Sequence, residues 1–236
     1  MTELLFRDDA YLTRCEAEVV SAGPEGLRLD RTVFYAESGG QPGDSGRLTW
    51  DGGSARILDT RKGEGPDDVL HLLEAGAQAP APGTRVTAEL DWERRHRFMR
   101  LHTCMHLLCS LVEGDVTGGQ IGEGKARLDF AVPGDALDKA ALTEGLNRLV
   151  AEDHPVRPRW VTEAELAGDA NLVRTLSVRP PSGSGRVRLL DIEGVDLQAC
   201  GGTHVARTGE IGRVEVGKIE NKGRQNRRVN IRFAED

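Results

Sequence analysis

Two short motifs in this chain carry residues with the types and the spacing of metal ligands. His102 and His106 stand four residues apart, so on a helix both imidazoles project from one face, one turn apart. Cys200 and His204 enclose two glycines, which let the backbone turn tightly enough for both side chains to meet one ion. One thiolate and three imidazoles favour zinc. We therefore predict a zinc site, and zinc with an open coordination position suits hydrolysis.

The same motifs also occur in two other kinds of site. A metalloprotease needs Glu directly after the first His as general base, and here that residue is Thr103, which makes a protease a poor fit. A closed zinc site with four protein ligands would only hold the fold together, and ligand pairs far apart in sequence suit that role as well. Because four protein ligands leave no open position, a catalytic zinc here requires that one of them, His204 or Cys200, yield to the substrate.

Two glycine-rich segments accompany the candidate ligands. FYAESGGQPGDSG (34–46) is either a pair of turns between strands or a backbone that approaches a ligand closely. VTGGQ (116–120) follows the histidine motif and could bring Thr117 and Gln120 near the metal, although both residues also suit an ordinary turn. Neither segment is a phosphate-binding P-loop, since no Gly-Lys-Ser/Thr follows.

The bulk composition is that of a globular protein without a membrane span. Hydrophobic residues make up 38% and charged residues 29%, and no apolar run approaches the roughly 20 residues that a span needs. The first residues lack the apolar stretch of a signal peptide, and four cysteines are few for a disulfide scaffold, so we expect a cytoplasmic protein. We expect it to be a monomer.

The net charge of −7 argues against indiscriminate binding of polyanions, but basic residues cluster in two places. Such clusters are usually solvated surfaces, and a phosphodiester backbone bound beside the metal would also need them. The first cluster precedes His102 and the second lies near the C-terminus: Arg94, Arg95, His96, Arg97 and Arg100, then Lys218, Lys222, Arg224, Arg227, Arg228 and Arg232.

The elements that must position these residues fall into two domains of an α+β protein. Residues 1–91 alternate in short β patterns that predict a small barrel or sandwich, with residues 75–83 as a loop inside it. Residues 92–236 mix helices and strands. An amphipathic helix is predicted over 93–112, a second over about 136–151 with Asp135 as its cap, and a third after the capping box formed by Thr162 and Glu165. Strands are predicted at 125–131, 156–161, 186–192, 211–218 and 228–233, and a surface loop at 180–185.

From about residue 30 to the end, the motifs resemble those of alanyl-tRNA editing proteins and of the editing region of alanyl-tRNA synthetase. The chain has no room for an aminoacylation domain, so it is most similar to the freestanding editing proteins that carry an N-terminal barrel. Five segments carry the resemblance, in the order found in that family: FYAESGGQPGDSG, VTAELDWERRHRFMRLHTCMHLL, GGQIGEGKARLDF, CGGTHVARTGEIG and IENKGRQNRRV.

This resemblance implies a fold, a substrate and a set of site residues. The fold is a small β-barrel followed by an α/β editing domain shared with threonyl-tRNA synthetases. The activity is zinc-dependent hydrolysis of mischarged tRNA(Ala) in trans, chiefly seryl-tRNA(Ala) and in some members glycyl-tRNA(Ala), for translation fidelity. The family's zinc motif falls on His102, His106, Cys200 and His204. Its glycine-rich motif falls on Ser38, Gly39 and Gly40, and its glutamine falls on Gln120.

The sequence departs from the family at Cys104, where alanine is common, and at Gln198 and Ala199. An editing site can select serine by offering a buried partner to its hydroxyl, which alanine would leave unpaired. Thr117 is our first candidate for that partner and Gln120 the second, and Arg224 with Arg227 are candidates for tRNA binding. The rival interpretations are a non-catalytic tRNA-binding module with structural zinc and a zinc hydrolase of small esters or amides.

Overall fold

The computed structural model describes residues 2–65, 67–133, 137–168 and 185–234. The chain divides into two compact units, Met1–His96 and Arg97–Asp236. This division marks where contacts within the chain are dense and does not test whether either unit folds alone. The predicted domain boundary between residues 91 and 92 therefore stays a prediction. None of the helices in the described part of the chain combines the length and the apolar character needed to cross a membrane.

The first unit is a closed barrel of six strands, in the order β2-β3-β7-β6-β5-β8, which confirms the predicted N-terminal barrel. Two short strands, β1 and β4, pair in parallel beside it. The strands are β1 (Glu3–Leu4), β2 (Arg14–Gly23), β3 (Gly26–Leu29), β4 (Arg31–Thr32), β5 (Gly46–Trp50), β6 (Gly53–Lys62), β7 (Val69–Leu73) and β8 (Arg85–Leu90).

Alternation along the strands fills the barrel. In β8, Val86, Ala88 and Leu90 are buried while the residues between them are more exposed, as the period of two requires for a strand with one face in the core. The predicted loop at 75–83 does lie within the first unit, where it joins β7 to β8.

Helix α1 (Trp92–Leu111) carries the first ligand pair. It begins after Asp91, whose carboxylate accepts a hydrogen bond from the Arg94 backbone N–H at 3.3 Å. The apolar spacing predicts an amphipathic helix, but residues 101–109 are buried on every side. Apolar residues at three-to-four spacing mark one buried face, and they do not show whether neighbouring elements also cover the other face.

The second unit contains two antiparallel sheets. The larger has the order β14-β15-β10-β9 and the smaller has the order β11-β12-β13. Their strands are β9 (Val116–Gly122), β10 (Lys125–Phe130), β11 (Val156–Thr162), β12 (Arg186–Ile192), β13 (Asp196–Ala199), β14 (Val214–Asn221) and β15 (Arg227–Phe233). The predicted strand at 211–218 begins later, at Val214, because Thr208–Ile211 forms a 3-10 turn.

The described residues of this unit also form two further helices, α2 (Lys139–Ala151) and α3 (Glu163–Gly168). The predicted cap of α2, Asp135, lies outside the described residues. Asp138 accepts hydrogen bonds from the backbone of Ala140 and Ala141, so the helix begins after it. The predicted capping box before α3 is present, since Thr162 and Glu165 bond reciprocally. The loop predicted at 180–185 lies outside the described residues except for its last position.

Candidate metal centre

The structure brings both predicted ligand pairs together in the second unit. His102 and His106 project from α1, while Cys200 follows β13 and His204 stands four residues later. The potential ligand atoms of these four residues all lie within 4.8 Å of one another, so the group could hold a metal ion. The three histidines are buried and Cys200 is half-buried. We call these four residues the ligand group.

The distances inside the ligand group fit one tetrahedral ion. A sulfur and a nitrogen bound to zinc at about 2.3 and about 2.1 Å lie about 3.6 Å apart when the angle between them is tetrahedral. The Cys200 Sγ atom lies 3.6 Å from His102 Nε2 and 3.2 Å from His204 Nε2. The spacing of these donors therefore suits an ion between them.

Two histidines of the ligand group are oriented through their other ring nitrogen. His106 Nδ1 lies 2.9 Å from Asp196 Oδ2, and His204 Nδ1 lies 3.2 Å from Thr103 Oγ1. A carboxylate accepts the Nδ1–H of His106, and the Thr103 hydroxyl, whose own proton goes to Met99 O at 3.0 Å, accepts that of His204. In the neutral form of each ring, these contacts leave Nε2 as the lone-pair nitrogen, which is the form that binds a metal.

Asp196 is itself held in place. Gln198 Nε2 donates to both carboxylate oxygens of Asp196, at 2.9 and 2.8 Å, and Gln198 is 3% exposed. In the sequence, Gln198 stands out only as a departure from the family, and Asp196 does not stand out. Two polar residues at alternate positions of β13, directly before Cys200, were the available signal, since alternate residues of a strand share a face.

The segment that carries Cys200 is fastened to β12. Arg188 Nη1 donates to the carbonyl oxygens of Cys200 and Gly202, at 2.9 and 3.0 Å. The Cys200 backbone N–H in turn donates to Arg188 O at 3.1 Å. These bonds fix the position of the sulfur relative to β12.

The side chains of the ligand group shift one another's pKa values in both directions. Burial raises the pKa of Cys200, but the charges of His102 and His204 outweigh it and hold that pKa well below its usual value, so the thiolate is favoured. Burial and the charge of His102 lower the pKa of His204 well below its usual range, so that imidazole is neutral. For His106, burial lowers the pKa, but Asp196 and Cys200 raise it to about 10, so these two anionic partners favour the protonated ring and a metal ion at this position would replace its Nε2 proton.

Thr117 and Gln120 lie on β9, which packs against the helix that bears the histidines. A Cβ at Gly119 would lie 3.0 Å from the Cε of Met105, the residue before His106. The register of β9 shifts by one residue at Thr117, which forms a bulge whose hydroxyl donates to Asp129 O at 3.1 Å. Gln120 is exposed.

The glycine-rich turn (residues 38–41) lies in the first unit. Gly39 and Gly40 have φ angles of 57° and 83°, a left-handed pair that glycine adopts readily and that reverses the chain between Ser38 and Gln41. Ser38 Oγ accepts a hydrogen bond from Lys62 Nζ at 2.6 Å. The segment is therefore an ordered turn with a cation at its side.

Comparison with known proteins places these sites in a family. A family model described as "Threonyl and Alanyl tRNA synthetase second additional domain" matches residues 187–230, and one described as "tRNA synthetases class II (A)" matches residues 10–94. The alanyl-tRNA editing protein AlaX-M of Methanosarcina acetivorans is 37% identical over 97% of this chain and 98% of its own length. The AlaX-M protein of Saccharolobus solfataricus is 32% identical over the same shares.

The chain belongs to the alanyl-tRNA editing protein family. It also matches alanine–tRNA ligases, such as that of Pyrobaculum neutrophilum, which is 34% identical over 93% of this chain but only 25% of the ligase. The predicted family and the predicted fold class are thus confirmed, including the second-additional-domain type of the second unit.

The basic residues before His102 are not one exposed patch. Arg95 is fully buried and forms an ion pair with Asp44, and Arg94 Nη1 donates to Gly43 O at 2.6 Å. Arg100 Nε donates to Ile211 O at 2.8 Å. Arg95 therefore does not face a phosphodiester backbone, and the prediction is wrong for this residue. In sequence it looks like a surface charge, but in the structure its partner is a buried carboxylate.

The two C-terminal arginines proposed for tRNA binding differ in environment. Arg224 is exposed in the turn between β14 and β15. Arg227 is buried, and its Nη1 donates to Asn221 Oδ1, Gly223 O and Asn226 O at 2.8, 2.7 and 2.8 Å. Arg227 thus holds the turn that presents Arg224.

Proposed function

We propose that this protein hydrolyses the ester of mischarged tRNA(Ala) in trans in the cytoplasm, chiefly seryl-tRNA(Ala), with glycyl-tRNA(Ala) as a second substrate. The observation that carries the proposal is the ligand group, four convergent donors in a chain that matches alanyl-tRNA editing proteins over nearly its full length. The aminoacyl ester is already activated, so the reaction needs placement and polarisation of its carbonyl more than a strong general base.

Zinc is the ion we propose for the ligand group, because one thiolate and three imidazoles match its preference. When bound, it supplies a Lewis acid beside the ester carbonyl. The residues of the chain set the geometry: α1 fixes His102 and His106, and Arg188 fixes the segment of Cys200.

Thr117 is the proposed sensor of the serine hydroxyl. Because its own proton goes to Asp129 O, the Thr117 oxygen is left as a hydrogen-bond acceptor. A serine hydroxyl satisfies this acceptor, while an alanine methyl leaves it unpaired, which costs about 1–3 kcal/mol once the bound substrate covers the half-buried Thr117. That penalty disfavours hydrolysis of the correct alanyl-tRNA(Ala).

Gln120 is the second proposed polar group of the site. Its Oε1 accepts a hydrogen bond from Arg127 Nη2 at 3.2 Å, which orients the amide so that its nitrogen is the remaining donor. Such a donor suits a carbonyl or a ribose oxygen of the substrate.

The glycine-rich turn and the C-terminal turn are the proposed contacts to the tRNA. Ser38, Gly39 and Gly40 let a polyanion approach the backbone closely, and Lys62 beside Ser38 supplies a positive charge. Arg224 supplies a second charge, and Arg227 acts by shaping the turn that carries it.

The test is a deacylation panel with seryl-, glycyl- and alanyl-tRNA(Ala), with and without a chelator. We expect fast release of serine, slower release of glycine and negligible release of alanine, and loss of activity in the chelator. Tight tRNA binding without serine release would favour a non-catalytic tRNA-binding module with structural zinc. Equal activity on a small seryl ester would favour a hydrolase that ignores the tRNA.

A further inference from the structure

We propose that Asp196 and Thr103 are positioning residues that make the histidine ligands unequal, so that His106 stays on the metal and His204 is the ligand that yields to substrate. This inference rests on the proposed function, because hydrolysis at the metal needs an open coordination position. It names His204 as the ligand whose release provides that position. It follows from what each imidazole contacts on the side away from the ligand group.

His106 is held by a buried anion. The side chains of His106 and Asp196 are 8% and 5% exposed, and their contact of 2.9 Å joins Nδ1 to a carboxylate that Gln198 fixes at both oxygens. An anionic acceptor on Nδ1–H makes the opposite nitrogen a stronger donor to a metal and locks the ring orientation. The backbone of His106 lies inside α1, which leaves its imidazole ring little freedom to move away from the ligand group.

His204 is held by a neutral and shared hydroxyl. Thr103 Oγ1 lies 3.2 Å from His204 Nδ1, and the same oxygen accepts the Val205 backbone N–H at 3.3 Å. Hydrogen bonds to a neutral acceptor are roughly half as strong as those to an ionised one. Because the Thr103 oxygen accepts hydrogen bonds from two donors, its bond to His204 Nδ1–H is weaker still. We therefore expect His204 Nε2 to be a weaker donor to a metal than His106 Nε2.

The backbone at His204 also differs from that at His106, which lies inside α1. His204 lies outside the regular helices and strands, after Gly201 and Gly202, and a Cβ at Gly201 would meet nothing within 4 Å. Cys200 is the other ligand that could yield, but the Arg188 guanidinium donates to the carbonyl oxygens of Cys200 and Gly202. The backbone carbonyl of Arg188 in turn accepts the Cys200 N–H. The thiolate is therefore the more firmly held end of this segment.

The first test measures zinc affinity by competition with a chromogenic chelator, in the full-length protein and without any tRNA. We expect Asp196→Asn to weaken zinc binding by about 10–100-fold and Thr103→Val by less than about 10-fold, with Thr103→Ser near the wild-type value. His106→Ala should lose more affinity than His204→Ala. Asp191→Asn on β12 is the matched control for Asp196→Asn and should leave affinity unchanged. Equal losses at the two histidines, or a larger loss for Thr103→Val than for Asp196→Asn, would overturn the proposal.

The second test observes the histidine nitrogens directly. Zinc-loaded protein with nitrogen-15 histidine is titrated with a non-hydrolysable seryl-amide of 3′-amino-3′-deoxyadenosine and followed by NMR. We expect the His204 Nε2 resonance to leave the metal-bound range while that of His106 stays in it. Movement of His106, or of neither, contradicts the proposal. Both tests measure metal binding and not hydrolysis, so they can succeed or fail independently of the deacylation panel. A wild-type protein that fails to release serine would refute the proposed function without deciding the roles of Asp196 and Thr103.

Discussion

Among the described residues, each unit contains a buried cluster of charged or polar side chains, and these two clusters differ in how their polar atoms are satisfied. In the first unit, Arg95 donates to both oxygens of Asp44, to Ala10 O and to Val33 O, so a cation meets an anion and backbone acceptors. In the second unit, the imidazole rings of His102 and His204 lie 4.3 Å apart between centroids and face a third imidazole and a thiol.

The difference teaches which buried polar cluster needs a ligand. The Asp44–Arg95 pair is complete within the protein, because opposite charges and complementary hydrogen-bonding groups meet. The ligand group instead directs several lone pairs toward one point, and lone pairs repel unless a cation lies between them. Burial alone therefore does not identify a functional cluster, whereas convergence of like acceptors does.

Breaking the buried ion pair should have the largest effect on stability. We expect Arg95→Met to reduce the free energy of unfolding by about 3–5 kcal/mol, because Asp44 would remain buried without its partner. Denaturant unfolding followed by circular dichroism measures this loss. Zinc content per folded molecule should not change, and Arg47→Met, an exposed arginine on β5, should cost little. A loss as small for Arg95→Met as for Arg47→Met would show that the pair is dispensable.

Removing one member of the ligand group should abolish function with less effect on folding. We expect His102→Ala to lower seryl-tRNA(Ala) deacylation by more than about 100-fold, since a lost ligand exceeds the 10–100-fold effect of a supporting residue. Zinc content by atomic absorption should fall with it. Full zinc and full deacylation in His102→Ala would make the ligand assignment wrong.

Substitution of Thr117 tests substrate selection, and its expected effect on deacylation is smaller than that of losing a member of the ligand group. We expect Thr117→Val to slow hydrolysis of seryl-tRNA(Ala) by a factor equivalent to about 1–3 kcal/mol, because the serine hydroxyl loses its acceptor. Thr117→Ser keeps the hydroxyl and should retain the preference. The measurement is kcat/KM on seryl- and alanyl-tRNA(Ala). An unchanged ratio in Thr117→Val would assign serine recognition to another group, with Gln120 next.

The smallest expected effect concerns the glycine-rich turn. We expect Lys62→Gln to raise KM for seryl-tRNA(Ala) by roughly 2–5-fold with kcat unchanged, and to reduce the slope of log KM against log salt by about one, as for one lost phosphate contact. Arg61→Gln is the matched control, since Arg61 is the neighbouring cation on β6 and pairs with Asp59 at 2.9 Å. Equal effects of the two variants would indicate general electrostatic attraction rather than a contact at the turn.

Sequence alone could single out the four residues of the ligand group because each pair is local. Four-residue spacing places His102 and His106 on one helical face, and glycines allow the turn between Cys200 and His204. The barrel was predictable for the same reason, since alternation along strands such as β8 is a short-range signal.

The pairing of the residues that support the site could not be predicted, because the two members of each pair are distant in sequence. Asp196 lies 90 residues from His106, and Thr103 lies 101 residues from His204. Only the folded chain brings them together. Arg95 was hidden in a basic run for the same reason, since its partner Asp44 is 51 residues away.

The position of Arg95 also has a consequence for dividing the protein into fragments. Its acceptors, Ala10, Val33 and Asp44, all precede residue 91, whereas Arg95 lies in the first turns of α1. A fragment cut after residue 91 would keep the buried carboxylate and lose the cation that neutralises it. A fragment cut after residue 96 would keep both. The smallest autonomous barrel is therefore expected to end within the helix that goes on to carry the histidine ligands.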